Sequence, residues 1–173
     1  RGRKDVEIHW QSWMPDRPRA VVVLVHGLGE HSGRYTHVAE ALVAADCAVY
    51  AMDHRGHGKS GGPRALIDRF AYAVEDIDHV VELACREQPR KPTFMLGHSM
   101  GGALSLSYTL RNPGKLHALI LSGPAVALDG APPMMKPIAT EVGSASLSVR
   151  PIAMRIQKNW GTSSGSPLRA LMP

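Results

Sequence analysis

Thr93-Phe94-Met95-Leu96-Gly97-His98-Ser99-Met100-Gly101-Gly102-Ala103-Leu104-Ser105-Leu106 is the stretch on which the reading of this chain turns. An apolar run enters the pentapeptide Gly97 to Gly101, which reads G-x-S-x-G, and a second apolar run leaves it. That order predicts a buried strand, a sharp turn and a helix. A serine hydroxyl becomes a nucleophile only when it stands clear of the backbone, near a base and beside donors for an oxyanion. A strand-to-helix elbow supplies the exposure by lifting Ser99 into a strained turn, while glycines at 97 and 101 let neighbouring backbone pass. The helix start directs N–H groups and a positive dipole end at the same point, so the Met100 N–H becomes half of an oxyanion hole. A Gly/Ser-rich turn of no chemical consequence is the plainer alternative, and the flanking strand and helix patterns favour the elbow.

Outward from the elbow, strands and helices alternate. Ala20 to Val25 is uninterrupted and β-branched, the mark of a strand covered on both faces. Tyr35, Val38, Leu42 and Ala45 fall on one helical face, and Ala48 to Met52 forms the next short strand. Phe70, Val74, Ile77, Val81 and Ala84, spaced by three and four, predict a long amphipathic helix closing before Pro89. Met100 to Leu110 is the elbow helix, stopped at Asn112-Pro113-Gly114, and His117 to Ser122 reads as another central strand. Val6-Glu7-Ile8-His9-Trp10 alternates apolar and polar and predicts an antiparallel edge strand, broken by Met14 to Pro18. The pattern specifies an α/β fold in which a mostly parallel sheet is wrapped by helices, with ligands beyond the carboxyl ends of the strands. Ser99 and the loops at 26–30 and 53–62 all belong to that end. After Pro124 the alternation stops, so residues 1–125 read as the core and 126–173 as a less regular region with a loop-like tail.

Composition bounds the function classes. The 173 residues are 44% hydrophobic and 20% charged, which is globular, and the length suits one domain. The net charge is +5, yet the densest basic groups, Arg1 to Lys4 and Arg86 to Lys91, form no stripe interleaved with aromatics. Nucleic acid is therefore not expected as a partner, and weak attraction to an anionic lipid surface is the minor alternative to plain solvated charge. Cys47 and Cys85 lack C-x-x-C spacing and read as free buried thiols of a reducing compartment. The longest apolar run, Ala20 to Val25, is too short to span a bilayer. A cytoplasmic or membrane-peripheral location is expected, and the start at Arg1 leaves room for an upstream segment.

Three stretches, His26-Gly27-Leu28-Gly29-Glu30-His31-Ser32-Gly33-Arg34-Tyr35, Asp53-His54-Arg55-Gly56-His57-Gly58-Lys59-Ser60 and Gly97-His98-Ser99-Met100-Gly101-Gly102-Ala103, together resemble the monoacylglycerol lipase family of α/β-hydrolases in content, order and spacing. The resemblance covers about residues 1 to 125 closely and the rest loosely. It implies an α/β-hydrolase fold and hydrolysis of monoglycerides to fatty acid and glycerol. It makes Ser99 the nucleophile and the backbone N–H groups of Leu28 and Met100 the oxyanion hole. It makes the stretch after 125 the start of a lid over an acyl tunnel, with a lipid ester as substrate and transient membrane contact through that lid.

One departure bears on all of this. In this fold the acid and the base follow the nucleophile in the order Ser, Asp, His. Downstream of Ser99 the chain holds only Asp129 and Glu141 as carboxylates and His117 as histidine. His117 opens a strand at the end away from the site. The expectation is a truncated form, with an incomplete triad and without the last strands of the sheet. His98, His26 and His54 are weaker candidates for a substitute base, since His98 points elsewhere in an elbow and the other two brace loops.

The remaining motifs have bland readings. His54-x-x-His57 has ligand-like spacing, but no cysteine or carboxylate completes a shell, so no metal and no cofactor is expected. Gly27-x-Gly29 lacks the third glycine of a dinucleotide fingerprint. Asp53 follows the wrong strand for a catalytic acid and more simply ties down the turn before Gly56. Met134 and Met135 suit lipid contact or core filling equally. Two classes of function stay open: a serine ester hydrolase, acting on monoglycerides, lysophospholipids or simple esters, and a catalytically silent fragment or lipid-binding module.

Overall fold

Six consecutive apolar residues, Ala20–Val25, are stable in a strand only if both of its faces are covered. In the computed structural model of the chain, which describes residues 1–125, this segment is β2 and every residue in it is buried. The other strands are β1 (Trp10–Trp13), β3 (Cys47–Met52), β4 (Thr93–His98) and β5 (Ala118–Ser122), in the order β1-β3-β2-β4-β5. β1 runs antiparallel to β3 and all other pairs are parallel. Parallel neighbours need crossovers, and each one carries a helix: α1 (Thr36–Val43), α2 (Phe70–Glu87) and α3 (Met100–Arg111).

The strand period of two divides the core into two layers. Val21, Val23 and Val25 of β2, with Ala48, Tyr50 and Met52 of β3, pack against the apolar stripes of α2 and α3. Val22, Leu24, Val49 and Ala51 face the other way, toward α1. The stripe of α2 is the one its spacing predicts, with Val74, Ile77, Val81 and Ala84 buried. Val74, Ile77 and Val81 each contribute roughly 1.5–3 kcal/mol through the water they shed. On the α1 side the cover ends early: Phe94 and Leu96 of β4 are only half-buried among the described residues.

Four expectations are corrected. The edge strand begins at Trp10, not Val6. Residues 7–9 bond to the loop after β3 instead of to a strand: the carbonyls of Glu7 and His9 accept the N–H of Gly61 and Asp53, and the His9 N–H donates to Ser60 Oγ. β5 is an edge, not a central strand, among the described residues, and its Ile120 and Leu121 are exposed. Ala45 lies past the end of α1, and Ala39 is the helix's buried residue. Cys85 is exposed while Cys47 is buried; position 85 falls just off the stripe that Ile77, Val81 and Ala84 define. Among the described residues no helix is long and apolar enough to cross a membrane. Asp129, Glu141, the methionine pair and the region expected as a lid lie outside the described residues.

Candidate active site

Between β4 and α3 the chain turns on Ser99, whose φ of 53° and ψ of −120° lie where L-residues rarely go. Such a conformation costs on the order of 1–3 kcal/mol and persists only when its surroundings impose it. Three hydrogen bonds do so here. The Ser99 N–H donates to the Ser122 carbonyl, and the Ser99 carbonyl accepts from Ala103 and Ala125. The two motif glycines are required by close approach. A Cβ at Gly101 would stand 2.3 Å from the carbonyl oxygens of both Val25 and His26, and one at Gly97 would stand 2.5 Å from Ser105 Oγ. The end of β2 is thus pressed directly onto the start of α3.

That contact brings the 26–30 loop beside the elbow: a Cβ built at Gly27 would be 3.2 Å from Ser99 Cβ. Glu30 holds the loop in shape, its Oε2 accepting from the Gly27 N–H (2.9 Å) and from Tyr35 OH (2.7 Å). Burial alone would push the Glu30 carboxyl up, but those two donors outweigh it and leave it below the ordinary range. Among the described residues the N–H groups of Leu28 and Met100 have no hydrogen-bond partner. Asp53 ties the neighbouring loop to this one, accepting from the N–H of Ser32 (2.7 Å) and of Lys59 (2.8 Å). Its tie reaches farther than the turn before Gly56.

Behind the 26–30 loop sit three buried imidazoles, His26, His54 and His57. His26 donates from Nδ1 to the Gly27 carbonyl (2.7 Å) and accepts the His54 N–H at Nε2 (3.0 Å). His54 donates from Nε2 to the His26 carbonyl (2.9 Å), and His57 from Nδ1 to the Arg55 carbonyl (3.0 Å). Among the described residues His54 Nδ1 and His57 Nε2 are buried with no partner. Burial depresses His26 to about 4 and drives His54 well below its ordinary value. An unfolded imidazole takes its proton near 6.5, so His26 adds no cost above that pH and destabilises the fold as pH falls from 6.5 toward 4. The expected loss is about 3 kcal/mol from His26 alone, with His54 acting in the same direction. Urea unfolding at pH 7 and pH 4.5 measures it, and equal midpoints would contradict it.

Comparison with known proteins now decides the family. The family described as serine aminopeptidase S33 matches residues 16–170. The monoacylglycerol lipase of Mycolicibacterium smegmatis is 48% identical over 140 residues, which are 80% of this chain and 50% of that protein. The chain belongs to the monoacylglycerol lipase family of serine α/β-hydrolases. The human monoglyceride lipase, 40% identical, is matched over 66% of this chain and 38% of its own length. The crystal structure of the Paleococcus ferrophilus monoacylglycerol lipase has 37% identity and a TM-score of 0.64, covering 80% of this chain and 51% of that one. This chain spans about half the length, or less, of these relatives.

Set against the monoacylglycerol lipase motifs, the site residues are partly gathered and partly not. Ser99, Gly27 and the Met100 end of α3 come together. Ser99 Oγ has no hydrogen-bond partner among the described residues. His98 is turned to the Ser122 carbonyl (3.0 Å), and His117 caps the opposite end of the sheet, its Nδ1 accepting the Thr93 N–H. No group of three or more His, Cys, Asp or Glu among the described residues is arranged to hold a metal ion. Sequence reasoning missed the role of Glu30, whose spacing of three from Gly27 and five from Tyr35 was the available signal. It also missed the buried Arg55–Asp76 pair, which no local pattern announces.

Proposed function

We propose that this chain carries the nucleophile and oxyanion donors of a serine ester hydrolase acting on monoacylglycerols. The observation behind the proposal is Ser99 in a strained elbow at the start of α3, beside two N–H groups without partners among the described residues. Ser99 Oγ attacks the ester carbonyl, and the developing oxyanion takes hydrogen bonds from the Leu28 and Met100 N–H groups. Glycerol leaves with the proton that a base removed from Ser99, and water then releases the fatty acid from the acyl-enzyme. The names of the relatives support monoglycerides as the substrate class. A silent lipid-binding module is the second reading, favoured by the lack of any partner for Ser99 Oγ among the described residues.

Glycerol release from 1-monooleoylglycerol tests the proposal, measured for the 173-residue chain and for a chimera. The chimera joins the chain to the remaining half of the M. smegmatis lipase, where the fold's order of Ser, Asp, His puts the acid and the base. The chimera is expected to turn over at enzyme rates and the chain alone at a residual roughly 10³–10⁴ over water. Within the chimera, Leu28→Pro deletes one donor and is expected to lower turnover by about 10²–10³. A folded chimera that cleaves no monoglyceride would favour the silent module. A folded Leu28→Pro chimera with near-normal turnover would exclude Leu28 as a donor.

A further inference from the structure

The Gly27 carbonyl and the Leu28 N–H are the two ends of one planar peptide, so whatever holds the oxygen aims the hydrogen the opposite way. The His26 ring holds that oxygen, donating from Nδ1 at 2.7 Å. The preceding peptide is pinned at both ends as well: its N–H, on Gly27, donates to Glu30, and its carbonyl, on His26, accepts from His54 Nε2. His54 in turn holds the His26 ring, because its N–H donates to His26 Nε2. Of the four polar groups on these two peptides, only the Leu28 N–H is left unpaired among the described residues.

We infer that His26, locked by His54, is a positioning residue that keeps the 27–28 peptide from flipping and so presents the Leu28 N–H beside Ser99. The inference rests on the proposed ester hydrolysis for its function, while the brace itself rests on geometry alone. A flip of this peptide would aim the Gly27 carbonyl, rather than an N–H, at the oxyanion. Glycine is the residue least able to resist such a flip by itself.

The brace requires one tautomer of each ring. His26 needs its proton on Nδ1 and a lone pair on Nε2; a second proton there would face the His54 N–H, donor against donor. The ring centroids lie 4.3 Å (His26–His54), 5.6 Å (His26–His57) and 6.2 Å (His54–His57) apart, so a charge on any ring burdens the other two. The charged groups facing the trio are already engaged. Asp53 accepts from Ser32 and Lys59, Glu30 from Gly27 and Tyr35, and Arg55 pairs with Asp76. The trio works neutral, and its depressed proton affinity agrees with that.

The test uses the 173-residue chain for the spectra and the chimera for the rates. Long-range ¹H–¹⁵N spectra at neutral pH are expected to show His26 protonated on Nδ1 and His54 on Nε2; the opposite tautomer at His26 overturns the brace. Second-order rates of Ser99 phosphonylation are then compared, within the chimera, in His26→Phe, which keeps bulk without the donor, and His26→Asn, whose amide reaches the Nδ1 position. His26→Phe is expected to slow the reaction about 10²-fold, the size of one lost oxyanion donor, and His26→Asn by about threefold or less. Equal losses in the two variants, or an unchanged rate in a folded His26→Phe, overturn the inference. If His26→Phe does not fold, the tautomer and the His26→Asn rate decide. Absence of labelling in the unsubstituted chimera, with the expected tautomers present, counts against the proposed hydrolase and leaves the brace standing.

Discussion

Ser99→Ala is expected to abolish, in the chimera, both labelling by a serine-directed phosphonate and ester hydrolysis. The loss should be on the order of 10⁶ in turnover, because without the hydroxyl no acyl-enzyme forms and only the oxyanion donors and binding remain. The elbow itself should survive. Alanine has a Cβ as serine does, so at φ 53° it bears the same strain, and the bonds that impose the turn come from the backbone of Ser99, Ser122, Ala103 and Ala125. Urea unfolding of Ser99→Ala should therefore match the parent within about 0.5 kcal/mol, the ordinary range for a substitution that breaks no buried contact. Labelling that persists in Ser99→Ala would place the nucleophile elsewhere, and loss of activity together with loss of folding would say nothing for a nucleophile.

Arg55→Ala is expected to cost stability more than any other surface-loop change. The guanidinium sits in the loop after β3 and meets Asp76 of α2 through two bonds, Nε to Oδ2 at 2.8 Å and Nη2 to Oδ1 at 3.1 Å. Both side chains are out of solvent, at 4% and 0% exposure. Two buried charges attract strongly but have each lost their water, so the pair as a whole contributes little, while one partner left alone costs about 3–5 kcal/mol. Burial already pushes the Asp76 carboxyl up, with Arg55 opposing. Without Arg55 that carboxyl rises further, so the folded state holds a proton that the unfolded state releases, and the deficit should grow as pH rises above the ordinary carboxylate range. The double change Arg55→Met with Asp76→Leu should recover most of the loss, since apolar groups of similar size replace the ions. A deficit under about 1 kcal/mol for Arg55→Ala, read from urea midpoints, would show that water reaches the pair. Because Arg55 shares the loop of His54 and His57, such a loss also loosens the support behind the 26–30 loop.

The parts of the molecule legible in the sequence are those written in short-range periodicity. The β-branched run at 20–25, the three-and-four spacing from Phe70 to Ala84 and the G-x-S-x-G turn each depend on residues within one element, so their local preferences survive into the fold. The edge strand was misplaced by four residues because alternation at 6–10 has two physical causes. A strand on a sheet and an extended segment hydrogen-bonded to a loop can carry the same alternating sequence, and only the partner distinguishes them.

By itself the sequence determined the α/β alternation, the position of Ser99 between strand and helix, and the expectation that His117 could not serve as its base. Those follow from residue type, order and spacing along one chain. Tertiary structure alone decided which groups meet across the fold. It set His26 against His54, 28 residues on, paired Arg55 with Asp76, 21 residues on, and left the Leu28 and Met100 N–H groups unclaimed among the described residues. Each of these depends on where two elements come to rest, and a hydrogen bond between distant residues leaves no mark in the local pattern of either.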